Sequence, residues 1–142
     1  YRIESPKYYH DQEYTKKSLE RYQEFLDDFP ESKLNDAAVE SIEILRGKLG
    51  KKLYETGILY MKLDEFESAK MTFQSVMDMY YDTEIIQLAY QGMVEALAKN
   101  KEIDEAKGLL SKHENILVES GLYDDAAKTI EKMQKTILKA SN

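Results

Sequence analysis

The sequence predicts an all-α protein, built as a right-handed solenoid of tetratricopeptide repeats. Three observations predict this fold class. Helix-forming residues dominate the 142 positions, which include only two prolines and six glycines. Small and large residues recur at helical offsets between Leu53 and Thr83. The same order of residue types recurs 51 positions earlier, as expected for a chain built from repeats.

The stretch from 53 to 83 reads as one complete repeat. Gly57 and Tyr60 share one face of a first predicted helix. Ala69 and Phe73 share one face of a second helix, and residues 63–65 form the turn between the two. The small residues stand where the antiparallel helices must approach closely, and the rings fill the space beside them. Such a pair leaves a second face uncovered, so the rest of the chain should supply neighbours.

The chain before this repeat predicts half a repeat and then an additional helix. Residues 1–9 are expected to end a helix, and Asp11 is expected to cap the next helix, 12–29, which ends at Pro30. The 51-residue offset exceeds the usual repeat length of about 34 residues, so extra helix must intervene. The positions matched by this offset are Ser18 with Ala69, Tyr22 with Phe73, Phe25 with Val76, Leu26 with Met77, Phe29 with Tyr80, Pro30 with Tyr81 and Ser32 with Thr83.

A long helix over 35–63 supplies the extra length. Gly47 and Gly50 fall inside it, and each costs roughly 1 kcal/mol relative to Ala in an exposed helix, so we expect a bend or short break there. Its apolar stripe consists of Ala37, Ala38, Ile42, Leu45, Leu49, Leu53 and Tyr60.

Three further helices are predicted after Thr83, over 84–99, 102–119 and 124–139. Asn100 suits the end of the first, Gly121 separates the last two, and Asp124 is expected to cap the last one, which covers the open end of the solenoid. We expect one monomeric domain over 1–142, cut from a longer protein because the sequence begins without Met or a signal peptide. Its parts are a half repeat (1–33), the long helix with a full repeat (34–83), a repeat (84–119) and a capping helix (120–142).

Composition excludes several classes of function. The formal net charge of -7 argues against a general nucleic-acid or anionic-membrane binder, which needs a basic surface. The absence of cysteine excludes disulfides and thiolate metal sites. The two histidines, His10 and His113, are far apart in sequence, and paired carboxylates such as Asp124 and Asp125 fit helix ends. We therefore predict no catalytic, cofactor-binding or metal-binding residues, and no enzyme.

One local feature departs from this acidic background. The segment from Arg46 to Lys52 contains four cations and no acid. Helical spacing allows Arg46 to pair with Glu43 and Lys51 with Glu55, which discounts both cations and leaves Lys48 and Lys52, four apart on one face. The segment is either a solvated helix edge or a surface that docks a partner. The candidate partner-binding residues are Arg46, Lys48, Lys51 and Lys52.

Three segments of the chain resemble the outer-membrane assembly lipoproteins of the BamD family, also called YfiO or ComL. They are residues 3–12, with Ile3-Glu4-Ser5-Pro6 and Asp11-Gln12; residues 22–32, Tyr-Gln-Glu-Phe-Leu-Asp-Asp-Phe-Pro-Glu-Ser; and residues 45–54, Leu-Arg-Gly-Lys-Leu-Gly-Lys-Lys-Leu-Tyr. The 51-residue offset is shared, and the resemblance covers residues 1–118. Departures from the family pattern are His10, Gly50 and Tyr81.

The resemblance implies a non-catalytic scaffold of the outer-membrane β-barrel assembly machinery. Such a protein is held at the periplasmic face of the outer membrane by a lipidated N-terminal cysteine, which would lie upstream of this sequence. Its expected partners are the periplasmic POTRA domains of BamA and other lipoproteins of the complex. Lys48 matches the family's usual basic residue, near the contact with the last POTRA domain.

A second interpretation remains open. The chain could be a different tetratricopeptide adaptor, one that grips a peptide terminus in its concave groove. That function requires basic and amide side chains that converge inside the groove.

Overall fold

The computed structural model describes residues 16–21, 23, 24 and 34–141. Helices joined by turns account for this part of the chain, which contains no strand, so the all-α prediction is confirmed. Residues 16–21, 23 and 24 are helical. The helices that follow are α1 (Leu34–Lys62), α2 (Phe66–Met79), α3 (Ile86–Lys99), α4 (Ile103–Lys112), α5 (Glu114–Glu119) and α6 (Tyr123–Ser141).

The chain divides into two compact units, residues 1–51 and 52–142, and the boundary falls inside α1. In the first unit, Ala38, Ile42 and Leu49 of α1 are buried as predicted, whereas Ala37 is exposed. The predicted cap at Asp11, the predicted end at Pro30 and most residues matched by the 51-residue offset lie outside the described residues. The expectation of a single domain stays a prediction.

Helix α1 runs without interruption from Leu34 to Lys62, close to the predicted 35–63. The short break expected near Gly47 and Gly50 is therefore absent, and that part of the prediction was wrong. Two glycines weaken a helix by only about 2 kcal/mol in total, which the surrounding hydrogen-bonded turns and the buried Leu49 can offset.

The second unit begins with the helical hairpin formed by the end of α1 and α2. Its turn covers the predicted residues, with Asp64 in the left-handed region at φ 57° and the Glu65 N–H donating to the Tyr60 carbonyl at 2.9 Å. Ala69 and Phe73 are fully buried on α2. The predicted close approach of these two helices at small residues is confirmed.

A second hairpin joins α3 to α4. Helix α3 ends at Lys99 with Asn100 as its C-terminal cap, as predicted, and Lys101 adopts a left-handed φ of 67°. Helix α3 begins at Ile86 instead of residue 84, because a turn precedes it in which the Thr83 hydroxyl donates to the Tyr80 carbonyl at 2.7 Å. The amino group of Lys70 binds both Glu67, at 3.0 Å, and Glu102, which connects α2 to the start of α4.

The predicted single helix over 102–119 is divided in two. His113 leaves the helical region at φ -109° and ψ 23°, so that it ends α4 and precedes α5. Gly121 separates α5 from α6 at φ 76°, as predicted. Helix α6 starts at Tyr123, which places Asp124 in its first turn instead of at the predicted cap position.

The core of the second unit lies among α2, α3, α4, α5 and α6. Helix α3 is the central element, since it packs against α2, α4 and α6. The buried core residues are Ala69, Phe73, Met93, Val94, Ala96, Leu97, Ala98, Ala106, Leu110, Leu117, Ala126 and Ile130.

Candidate docking site

The basic segment lies on consecutive turns of α1. Lys48 and Lys51 are exposed, whereas Arg46 and Lys52 are half-buried. At 100° per residue, Lys48 and Lys51 point to the same side of the helix, and Arg46 lies roughly 160° round the helix from Lys48. Helix α1 therefore groups Lys48 with Lys51 and separates both from Arg46.

The four cations also differ in whether they interact with other residues. Arg46 and Lys52 each already interact with another residue. Among residues 34–141, no salt bridge joins Lys51 to Glu55, so that predicted pair does not form. Lys48 and Lys51 are the two candidate residues that are both exposed and clear of described carboxylate partners.

Sequence reasoning missed two residues that complete this surface. Ile44 is 62% exposed, one turn before Lys48 and two turns before Lys51 on the same side of α1. A β-carbon added to Gly47 would meet no atom within 4 Å. The sequence did contain the signals, because Ile44 lies off the predicted apolar stripe and Gly47 interrupts a run of helix formers. We call Ile44, Gly47, Lys48 and Lys51 the α1 face.

A second polar surface lies in the second unit, where α1, α3 and α6 contribute side chains. Glu95 on α3 is half-buried and accepts a hydrogen bond from the Gln91 amide at 3.2 Å. Tyr54 approaches it from α1, and Thr129 and Asp125 approach from α6. We call these five residues the Glu95 site.

Charge is poorly compensated at the Glu95 site. The pKa of the Glu95 carboxyl is raised, first of all by burial. A hydrogen bond from Gln91, the charge of Lys99 and a hydrogen bond from Thr129 lower this pKa, whereas the charge of Asp125 raises it further. The pKa of the Tyr54 phenol is raised as well, first by burial and then by the charge of Glu95. The site therefore has a negative potential in half-buried surroundings.

His113, the one histidine among the described residues, packs against a neighbouring aromatic ring. His113 is half-buried, with its ring stacked on that of Tyr90 at a centroid distance of 3.7 Å and an angle of 11°. Burial and then the charge of Lys112 lower its pKa. In the described part of the chain, no group of three or more His, Asp or Glu side chains could hold a metal ion. No helix among these residues has the length and apolarity required to cross a bilayer.

The chain matches the model of a known protein family. The family model YfiO, described as an outer membrane lipoprotein, matches residues 2–116. The match includes α1, α2, α3 and α4, and it excludes α6. No curated protein matches the chain significantly.

Proposed function

Because the chain belongs to the YfiO family of outer membrane lipoproteins, we propose that it is a non-catalytic scaffold of the β-barrel assembly machinery and docks the POTRA region of BamA. Its place is the periplasmic face of the outer membrane, where a lipid anchor on an upstream cysteine holds the full-length protein. The family match supports the setting in the outer membrane, and the α1 face supports the docking function.

The proposed architecture is a right-handed tetratricopeptide solenoid that forms a single, monomeric domain. The packing of the first hairpin supports it, since a β-carbon on Gly57 would lie 2.5 Å from the Phe73 ring. Gly92 of the second hairpin packs against the same ring, since a β-carbon on Gly92 would lie 2.7 Å from it. Repeat proteins stack helix pairs through such close approaches and leave extended surfaces free for partners.

The observation that carries the docking proposal is the composition of the α1 face. Ile44 offers exposed apolar area, Gly47 allows close approach of a partner backbone, and Lys48 and Lys51 supply positive charge. Exposed apolar residues bordered by charges are typical of interaction surfaces.

Charge gives this surface its selectivity. The whole chain has a net charge of -7, so two exposed lysines without described carboxylate partners reverse the local field. A partner with an acidic surface would be steered toward this face, and the effect would appear in the association rate and in its dependence on salt. The contact around Ile44 would depend much less on salt.

The test is a titration of the chain against the cognate POTRA fragment at two ionic strengths. Reversing both charges, with Lys48→Glu and Lys51→Glu, should weaken binding by on the order of 1 to 3 kcal/mol at low salt and by less at high salt. The matched control is Lys107→Glu with Lys112→Glu, two exposed lysines of α4. Equal loss in both double variants would indicate a non-specific charge effect, and no loss in either would overturn docking through the α1 face.

A further inference from the structure

We infer that the Glu95 site binds a cationic side chain, lysine or arginine, presented by an extended segment of a partner protein. The site uses none of the residues of the α1 face, so this inference is independent of the proposed POTRA contact. It depends on the proposed solenoid only for the expectation that the first helices of successive pairs line a concave surface.

Three helices, α1, α3 and α6, converge on the Glu95 carboxylate. Phe73 packs against both Gly57 of α1 and Gly92 of α3, so these helices lie side by side over α2. Tyr54 precedes Gly57 by one turn, and Glu95 follows Gly92 by one turn. Helix α6 packs on α3 and brings Thr129 to the same carboxylate. Glu95 thus lies on a surface that three different helices border.

No salt bridge within the described residues neutralises Glu95, although the charge of Lys99 acts on it from a distance. Glu67 and Glu102 of the same unit, in contrast, are both bound by Lys70. Lys99 follows Glu95 at the four-residue spacing that favours ion pairs, yet no salt bridge joins them in the described residues. Glu95 is instead hydrogen-bonded by the neutral amide of Gln91.

A cationic ligand would bind Glu95 more strongly than its present neutral hydrogen-bond partners do. A half-buried carboxylate that accepts hydrogen bonds only from neutral groups can form a stronger, charge-assisted bond with an ammonium or guanidinium group. The side chains of Tyr54, Ile58 and Met61 share one face of α1 and are partly buried against the core. Such a surface suits the aliphatic stem of lysine or arginine, and the Tyr54 ring suits a guanidinium.

The charges of the Glu95 site also disfavour an anionic ligand such as a peptide carboxylate. An adaptor that grips a peptide carboxylate needs converging basic and amide groups. Here the amide of Gln91 is already bound to Glu95, and Asp125 adds a second negative charge. A peptide carboxylate would therefore be repelled, and a cation would be attracted.

Stability distinguishes a ligand site from a structural carboxylate. Because burial raises the pKa of Glu95 in the folded state, the ionised form destabilises the fold above that pKa, and this loss is relieved as the pH falls through it. Glu95→Gln removes the buried charge and keeps the shape of the side chain. Its melting temperature at pH 7 should equal or exceed that of the unchanged protein. A marked decrease would show that Glu95 serves the fold and would overturn the inference.

Binding is tested with two peptides that differ in one charge. The probes are acetyl-Gly-Arg-Gly-Tyr-Gly-amide and the same peptide with citrulline, which has nearly the same shape as arginine and no charge. Titrations of the full chain are followed by NMR at the amide groups of Gln91, Glu95 and Thr129. We expect the arginine peptide to bind with a dissociation constant on the order of 1 mM and the citrulline peptide about tenfold more weakly.

Variants locate the binding. Glu95→Gln should reduce affinity for the arginine peptide about tenfold, whereas Glu119→Gln, at an exposed carboxylate of α5, should leave it unchanged. The double variant Lys48→Glu with Lys51→Glu should also bind the peptide normally, which separates this site from the α1 face. Equal binding of both peptides, no binding of either, or shifts that spread over the acidic surface and survive in Glu95→Gln would each overturn the inference.

Discussion

The ring of Phe73 lies directly on the backbone of Gly57, so that a β-carbon built on Gly57 would stand 2.5 Å from the ring atom Cε1. Phe73 is fully buried and cannot move aside without displacing its neighbours. Gly57→Ala should therefore lower the free energy of unfolding by about 1 to 3 kcal/mol. Urea denaturation measures this change.

Gly108 provides the matched control for that substitution. It lies inside α4, is exposed, and would bring an added β-carbon within 4 Å of nothing. Gly108→Ala should raise the free energy of unfolding by up to about 1 kcal/mol, because alanine favours the helix. If both alanine substitutions changed the free energy of unfolding in the same direction, the contact between Phe73 and Gly57 would not determine the packing of this hairpin.

Sequence reasoning predicted the packing at Gly57, Ala69 and Phe73 because helical periodicity fixes which residues share a face. It assigned no role to Gly92, whose contact with Phe73 depends on where a third helix packs. It also missed the division at His113, since apolar residues continue on both sides of a local change in backbone angles. Glu95 could not be singled out, because its interactions with Asp125 and Thr129 come from α6, which is distant in sequence.

A substitution at Ala69 tests the packing of α2 in the same hairpin. Its side chain is completely buried within the core of the second unit. Ala69→Leu adds three carbon atoms where no space exists, so it should destabilise the protein by about 1 to 3 kcal/mol or more. Thermal unfolding followed by circular dichroism measures the loss. An unchanged melting temperature would contradict the packing of α2 against its neighbours.

Lys70 should give the protein a pH-dependent contribution to stability. Hydrogen bonds from Lys70 and then from Asn100 lower the pKa of the Glu102 carboxyl. A lowered pKa in the folded state contributes stability above the unfolded value, near 4.5, and this contribution is lost as the pH falls through the folded value. Lys70→Met should therefore lower the melting temperature at pH 7, and the difference from the unchanged protein should shrink toward pH 3. A difference that stays constant with pH would contradict this role.

His113 should add a second loss of stability as the pH falls. Burial, and then the charge of Lys112, lower its pKa below the ordinary value of 6.5. The unfolded chain therefore binds a proton more readily, so stability should fall as the pH drops below about 6.5. His113→Phe keeps an aromatic ring beside Tyr90 and removes the titrating group. Melting temperatures between pH 7.5 and 5.5 should decline less steeply in this variant than in the unchanged protein.

The apolar part of the α1 face offers a test that charge reversal cannot give. Ile44 is 62% exposed, so Ile44→Ala should change the free energy of unfolding by no more than about 0.5 kcal/mol. If a POTRA surface covers this residue, the same substitution should weaken binding by about 1 kcal/mol or more, equally at low and high salt, because apolar contact is not screened. Ile44→Ala should therefore act mainly on the dissociation rate, and Lys48→Glu on the association rate. Binding that is unaffected by Ile44→Ala but reduced by Lys48→Glu would restrict the α1 face to electrostatic steering and place the apolar contact with the partner elsewhere.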